Sequence, residues 1–376
     1  LQDTMRGMNQ TNLLLLNPNT SDSENNFGSP YVVPTATGFN IINSYIGTSA
    51  TAVYIAIRRG PMKVPTSGTS VFAPVIYTGN SSVNTVTSNF PVDLSITKLK
   101  NSTGPKITVI DRLRGFGTAT DGTKYLFTSA TDAEGGASDG VTDMGNTGLT
   151  LGAWGQINGS TYSYIDWMFQ RAPSYFDEVC YTGTGSATTV AHNLAAVPEL
   201  IIAKIRDAGG AWYVYNKSLT SAGYYLTVNS TNAEAFSNGL WNSTQPTSSS
   251  FTVGTGSGTN GNGSTYVAYL FATCAGVSKV FSFTGNGTTQ TINCGFAGGA
   301  RFVLLKASSA TGGWYVYDTA RGMTTLTDPY LQLNSTAAET ATLGSVTTVT
   351  TGFAVNEAIT TGVNTNGVTY IGLAIA

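Results

Sequence analysis

The 376-residue chain is poor in the side chains that most chemistry uses. It holds one histidine and three cysteines, and no two cysteines form a C-x-x-C pair, so neither a disulfide scaffold nor a zinc or redox site is indicated. Charged residues make up 10%, against roughly 25% in ordinary soluble proteins. The net charge is −2 with basic residues scattered singly, which cannot supply the counterion-release energy that drives nucleic-acid binding. No apolar run approaches the ~20 residues of a membrane helix, and no basic segment followed by an apolar core opens the chain as in a signal peptide. The expectation is a soluble chain with no nucleic acid, no membrane insertion and no cofactor.

Gly, Ser, Thr and Asn are abundant instead, with 41% hydrophobic residues, 19 Tyr and 16 Phe. That much apolar and aromatic surface can offset chain entropy, so the chain is read as folded and β-rich rather than disordered. Its length allows two to four domains of ordinary size.

The organisation is a repeat. "DTMRG" at Asp3 returns as "DRLRG" at Asp111, as the degenerate "NKSL" at Asn216 and as "DTARG" at Asp318, with successive spacings of 108, 105 and 102 residues. Each anchor is followed by an apolar strand and an acidic segment, as in "YLFTSATDAE" and "YLQLNSTAAE", then by two strands around a Gly/Asn/Ser/Thr loop, a hairpin signal. Upstream of the anchor, a "YTG/FTG" hairpin and a strand ending in Lys98, Lys204 or Lys306 occur three times. Three full units follow, 60–171, 172–273 and 274–376, preceded by the C-terminal half of a unit, 1–59. Completion of that half by upstream sequence or by a neighbouring subunit is expected, because exposed sheet edges invite pairing. Six or seven short strands per unit predict an all-β protein of tandem antiparallel β-sandwich, jelly-roll-like domains. At about 105 residues each, the units are expected to bury separate cores like beads on a string. Only "TDAE" and "TNAEAF" suggest a helical turn.

Residues that could carry chemistry each have a structural alternative. His192, a candidate general base, is equivalent to Ser88 and Cys294 in the sibling units, which suits a strand end tolerant of small polar groups. Cys274 and Cys294 could meet across a hairpin or stay reduced. Lys98, Lys204 and Lys306 precede the anchors Asp111, Asn216 and Asp318 by 12 or 13 residues. A lysine nucleophile beside a carboxylate competes there with a structural ion pair or a snorkelling lysine. Arg6, Arg114 and Arg321 suggest a turn held by an Asp–Arg contact, with Leu219 in the degenerate copy. Glu24, Glu134, Glu234 and Glu339 recur singly, unlike the paired acids of glycosidases, and are assigned to helix N-termini. Trp212 and Trp314 align with Ile107 and read as packing. Trp154 and Trp241 lie in polar loop text and are the candidate glycan or receptor contacts.

The motifs "YTGTG", "PELIIAKIR", "WYVYDTARG", "YLQLNSTAAE" and "STYVAYLF", in fixed order, resemble a tandem β-rich repeat domain of tailed-bacteriophage virion proteins, tail-fibre-like and otherwise of unknown function. The resemblance spans Asp3 to Ala376, and "NKSL" departs from its "DxxRG" pattern. It implies a virion structural protein assembled in the host cytoplasm, a tail-fibre or adhesion component that self-associates as a homotrimer and contacts other virion proteins and a host cell-surface glycan. A capsid decoration protein (head fibre) and a bacterial surface adhesin are the alternatives, and a polysaccharide-degrading tailspike is the remotest. No catalytic constellation is found, so no enzyme is expected.

Overall fold

The computed structural model describes residues 14–26, 32–34, 39–41, 51, 54–56, 63–117, 122–323, 328–342, 344–356 and 362–376. The first anchor, Asp3 to Gly7, and most of the closing strand of the half-unit lie outside the described residues.

Each full unit is an antiparallel sandwich of one large and one small sheet, and among the described residues no sheet mixes strands of two units. In the first unit the large sheet runs Gly135–Ala137, Thr123–Phe127, Thr108–Asp111, Leu94–Leu99, Ser163–Phe169, Phe72–Thr78. Val141–Met144, Gly148–Leu151 and Asn84–Thr87 form the sheet opposite. The second and third units repeat the plan. Their closing strands, Thr265–Phe271 and Thr369–Ile375, sit between the first strand of the unit and the lysine strand, Leu200–Ile205 or Phe302–Ala307. The all-β, sandwich expectation is met.

The closing strands explain how the units meet. Ala268 and Leu270 point into the core between the two sheets of the second unit, with Val190, Phe251 and Val253. The alternate residues Val267, Tyr269 and Phe271 point out of the sandwich, into a core shared with Ile165, Trp167 and Phe169 of the first unit and Ile371, Leu373 and Ile375 of the third. Side chains alternate along a strand, so a strand apolar at every position must be covered on both faces. Each unit thus has an inner core, but the expected string of separate beads is corrected: the outer faces of three large sheets close on one another.

The acidic segments are not helical. Glu134 donates its backbone N–H to Arg206 O at 2.7 Å, Glu234 to Ser308 O at 2.8 Å and Glu339 to Lys100 O at 2.9 Å. Each bond crosses to another unit and draws the segment out along its neighbour. Among the described residues, α-helical turns lie instead at Gly155–Asn158, Asn238–Trp241 and Ser257–Asn260, with a 3-10 turn at Gly68–Ser70. In the half-unit, Leu14–Leu15 pairs with Asn25–Asn26 and Val32–Pro34 with Phe39–Ile41. The Phe39 and Tyr54 rings meet at 5.2 Å. Ile55, whose counterparts Trp167, Tyr269 and Leu373 are buried, is 89% exposed.

Asp166 is the one acid on the inner face of a closing strand. It is fully buried and accepts hydrogen bonds from Ser95 Oγ at 2.8 and 3.0 Å. Burial pushes its carboxyl up to about 7, against the lowering effect of the Ser95 and Thr97 hydroxyls. The unfolded chain therefore gives up this proton near pH 4 while the folded chain holds it, and stability falls as pH rises between about 4 and 7. Asp166→Asn should remove that loss. We expect the variant's advantage over the parent in unfolding free energy, from urea titration, to grow from pH 5 to pH 8 by on the order of a few kcal/mol; a constant offset would contradict the assignment.

Candidate functional site

The recurring polar residues converge on the seams between units. Asp111 Oδ1 accepts the Arg114 backbone N–H and its Oδ2 accepts Arg114 Nε, with Arg114 extended to Val109 O and to Glu134 Oε2. Asp318 and Arg321 repeat this set with Val316 O and Glu339 Oε2. The expected Asp–Arg turn is present in both, and each pair is fully buried. Buried charges survive only when paired and hydrogen-bonded throughout, and the remaining bonds come from the next unit. Tyr269 Oη of the second unit donates to Asp111 Oδ2 at 2.6 Å, and Trp167 Nε1 of the first donates to Asp318 Oδ2 at 2.9 Å. Arg206 bridges to Glu134 at 2.9 Å and Lys100 to Glu339 at 3.1 Å across the same two seams.

The third seam lacks the Asp–Arg pair and the cation that bridges the units. Rotation of this pattern by one unit sets Leu373 against Asn216, with Leu219 in place of the arginine and Ser308 in place of the second cation. Asn216 Oδ1 accepts the Ser218 N–H at 2.9 Å, while its buried Nδ2 has no partner. Glu234 turns to Thr220, accepting its N–H at 3.0 Å and its hydroxyl at 2.7 Å. The glutamates thus serve the seams and not the helix N-termini assigned to them. What recurs at the anchor is a complete hydrogen-bond set, and it is lost as a set.

The lysines do not meet the anchors. Lys204 pairs in register with Trp212, at the opposite end of the hairpin from Asn216, which faces Leu200. Lys98, Lys204 and Lys306 are buried and donate to turn carbonyls of the adjoining unit: Lys98 to Ser335 O, Lys204 to Thr131 O at 3.4 Å and Lys306 to Thr231 O at 3.3 Å. Burial lowers their amines to about 7, 8 and 8, with Arg321 adding to the effect on Lys98. The tryptophans complete the ring: Trp212 Nε1 donates to Phe127 O at 2.7 Å and Trp314 Nε1 to Thr227 O at 2.8 Å, while Ile107 has no donor and Thr128 Oγ1 reaches Leu333 O at 2.8 Å instead.

His192 is a buried strand-end residue. Its Nδ1 accepts the Leu194 N–H at 3.2 Å and its Nε2 lies 3.2 Å from Thr247 O, which suits the neutral ring, and burial lowers its pKa. Ser88 and Cys294 are buried at the same place. Cys180, Cys274 and Cys294 are free thiols. Burial, with Asp111 nearby, raises the carboxyl of fully buried Glu178 well above the carboxylate range, and neither of its oxygens has a hydrogen-bond partner. Among the described residues, no group of three His, Cys, Asp or Glu side chains could hold a metal, and no helix is long and apolar enough to cross a membrane.

The two tryptophans proposed as binding contacts part company. Trp241 is only 1% exposed and belongs to the inner core of the second unit, so its assignment to a glycan-facing surface is corrected: the turn Asn238–Trp241 folds its ring inward. Trp154 is half-buried and lies over Tyr125, ring centroids 4.6 Å apart.

Removing one member of a buried charged set leaves the others unpaired, which costs about 3–5 kcal/mol. Asp318→Ala should destabilise the chain by that amount in urea titration. Trp167→Phe, tested in the Asp318→Ala background, should cost less than in the parent, because the bond it removes is already broken. Additive effects would show that the two residues do not form one set.

The sequence model of a domain of unknown function, DUF7483, matches residues 67–376, the stretch that holds the three units closed around the shared core. No curated relative matches the chain. The protein belongs to the DUF7483 family.

Proposed function

We propose that the protein is a non-enzymatic structural component of a bacteriophage virion, a tail-fibre or adhesion part that contacts the host surface. One observation carries the reading. The polar residues that recur from unit to unit, namely the seam lysines, the Asp–Arg turns and the glutamates, hold three units together. Chemistry that repeats is thereby committed to architecture, and the differing loops are left for recognition. The resemblance to tail-fibre-like repeats supports a place at the tail, and the sparsely charged, hydroxyl-rich composition suits a surface appendage.

Self-association belongs to this reading. The three complete units turn their apolar faces toward one another, so copies would meet through the half-unit, where Tyr54 is 70% exposed and Ile55 89%. Light scattering of the full chain should give a mass above the monomer, and Tyr54→Asp with Ile55→Asp should return it to the monomer; a monomeric parent would remove this part of the proposal.

Antibodies against the purified chain should label the tail end of intact particles and block their adsorption to host cells. Labelling spread over the capsid would replace the reading with capsid decoration, and absence from particles would reject it. Host polysaccharide incubated with the chain should release no new reducing ends. Release abolished by one carboxylate substitution would establish an enzyme.

A further inference from the structure

The first unit carries a row of three rings where its siblings show a pair, Tyr213 with Tyr225 in the second and Tyr315 with Tyr330 in the third, at 5.6 and 5.1 Å between ring centroids. Tyr125 lies between Trp154, at 4.6 Å, and Phe127, at 5.0 Å between ring centroids. All three are half-buried, so each shows part of its ring to solvent. The Lys106 ammonium stands 5.1 Å from the Phe127 centroid and pairs with Asp132, the two side chains being 44% and 48% exposed. Gln156 Nε2 donates to Lys106 O at 2.6 Å. The result is a short row of rings with a polar rim at the open edge of the sandwich.

The sibling units serve as an internal control. Tyr125 recurs as Tyr225, but Lys106, Phe127, Trp154 and Gln156 are replaced in the second unit by Ala211, Thr227, Gly256 and Gly258. The backbone bonds do not change. Trp154 N donates to Asp139 O and Gly256 N to Gly239 O, and the carbonyls of both residues accept two N–H groups from the turn that follows. In the second unit the turn Asn238–Trp241 covers this place so closely that a Cβ on Gly256 would stand 2.8 Å from Gly239 O. The fold therefore needs a cover there, and the second unit supplies it with the buried Leu240 and Trp241. The first unit leaves the mouth to rings that stay partly in water, with three further polar or aromatic side chains that the scaffold does not require.

We propose that Trp154, Tyr125 and Phe127, rimmed by Lys106, Asp132 and Gln156, form a binding site for a neutral pyranoside chain. Aromatic faces take the C–H surface of a sugar ring, and flanking polar groups meet its hydroxyls. The Lys106–Asp132 pair offers a donor and an acceptor with no net charge, which suits a neutral polyol over an acidic sugar. The inference rests on the surface-contact reading above and names the class of molecule contacted.

The test uses the chain's own fluorescence. Of its five tryptophans, Trp167, Trp212, Trp241 and Trp314 are at most 1% exposed, so acrylamide quenching reports on Trp154. Neutral oligosaccharides of glucose, galactose and mannose in several linkages are titrated against the full chain. At least one should shield Trp154 saturably. By calorimetry, Phe127→Thr and Lys106→Ala, which install or approximate the second unit's residues, should each weaken that sugar about tenfold with an unchanged melting temperature. Trp154→Phe should retain part of the affinity. Absence of shielding by every neutral sugar, preference for an acidic one, or affinity indifferent to all three substitutions would overturn the assignment. Because the measurement is made on the isolated chain, absence of the protein from particles would defeat the virion reading and leave this result standing, and tail labelling without sugar binding would do the reverse.

Discussion

The closing strand of each unit is apolar on both faces, and a two-layer sandwich can cover only one of them. Burying the second face is what the rest of the molecule depends on. A Trp, Phe or Leu side chain left in water forfeits about 1.5–3 kcal/mol of burial, and each unit would expose several. Three large sheets turned inward around one axis bury Trp167, Phe169, Trp212, Phe271, Phe302 and Trp314 together. Packing at the centre is close but not complete: a cavity of about 40 Å³ remains, lined by Leu94, Leu200, Leu304 and others from all three units. The surface it presents is apolar, which disfavours water there.

An apolar column alone would let the units slide or exchange, and the seams prevent this by chemistry that differs from one to the next. Two seams are written in buried charge, with Tyr269 and Trp167 completing the Asp111 and Asp318 sets. The third has Asn216, Leu219, Ser308 and Leu373 at the corresponding places, and its Glu234 carboxylate turns back to Thr220. An arginine opposite Asn216, or an aspartate opposite Leu373, would be a buried ion with a partner missing, and that costs several kcal/mol. The residues therefore have to change together, and a unit shifted by one place around the ring would put charge against leucine. On this argument the seams set the order of the units as well as their adhesion.

Much of this was legible beforehand. The hairpins, the lysine strands and the Asp–Arg turns follow from local pattern, because strand alternation and turn chemistry are written in contiguous residues. The closing strands "YIDWMF" and "TYVAYLF" even announced that both faces were apolar, but a period of two cannot say what lies on the far face. The "TDAE" segments failed as helices for the same reason: Glu134 and Glu339 find their partners about 70 and 240 residues away in sequence, at Arg206 and Lys100. One sequence signal could have exposed the seams. In the copy where the anchor becomes Asn216, the arginine becomes Leu219 and the next unit offers Ser308 and Leu373, and four concerted losses of polarity imply contact. Trp154 and Trp241 were indistinguishable as text, since both sit among Gly, Ser and Asn. Their fates differ because the second unit has, besides the turn Ser257–Asn260 that matches Gly155–Asn158, a further helical turn, Asn238–Trp241, which the first unit lacks among the described residues.

That difference locates where one scaffold can acquire distinct behaviour. The backbone bonds at Trp154 and Gly256 are the same, so the edge of the sandwich holds its shape whichever side chain stands there. The second unit closes its mouth with Leu240 and Trp241 and gains an inner core sealed from water. The first closes it with rings that keep some contact with solvent, so part of the apolar burial available to it is left unmade. A lasting exposed row of aromatics is unfavourable unless something else covers it. The seams cannot change without breaking a buried set, but the mouths can, because a substitution there disturbs neither a sheet register nor a buried charged pair. Divergence between units is therefore channelled to the sandwich mouths, and a surface assembled from them can acquire a ligand while the shared core and its three seams stay as they are.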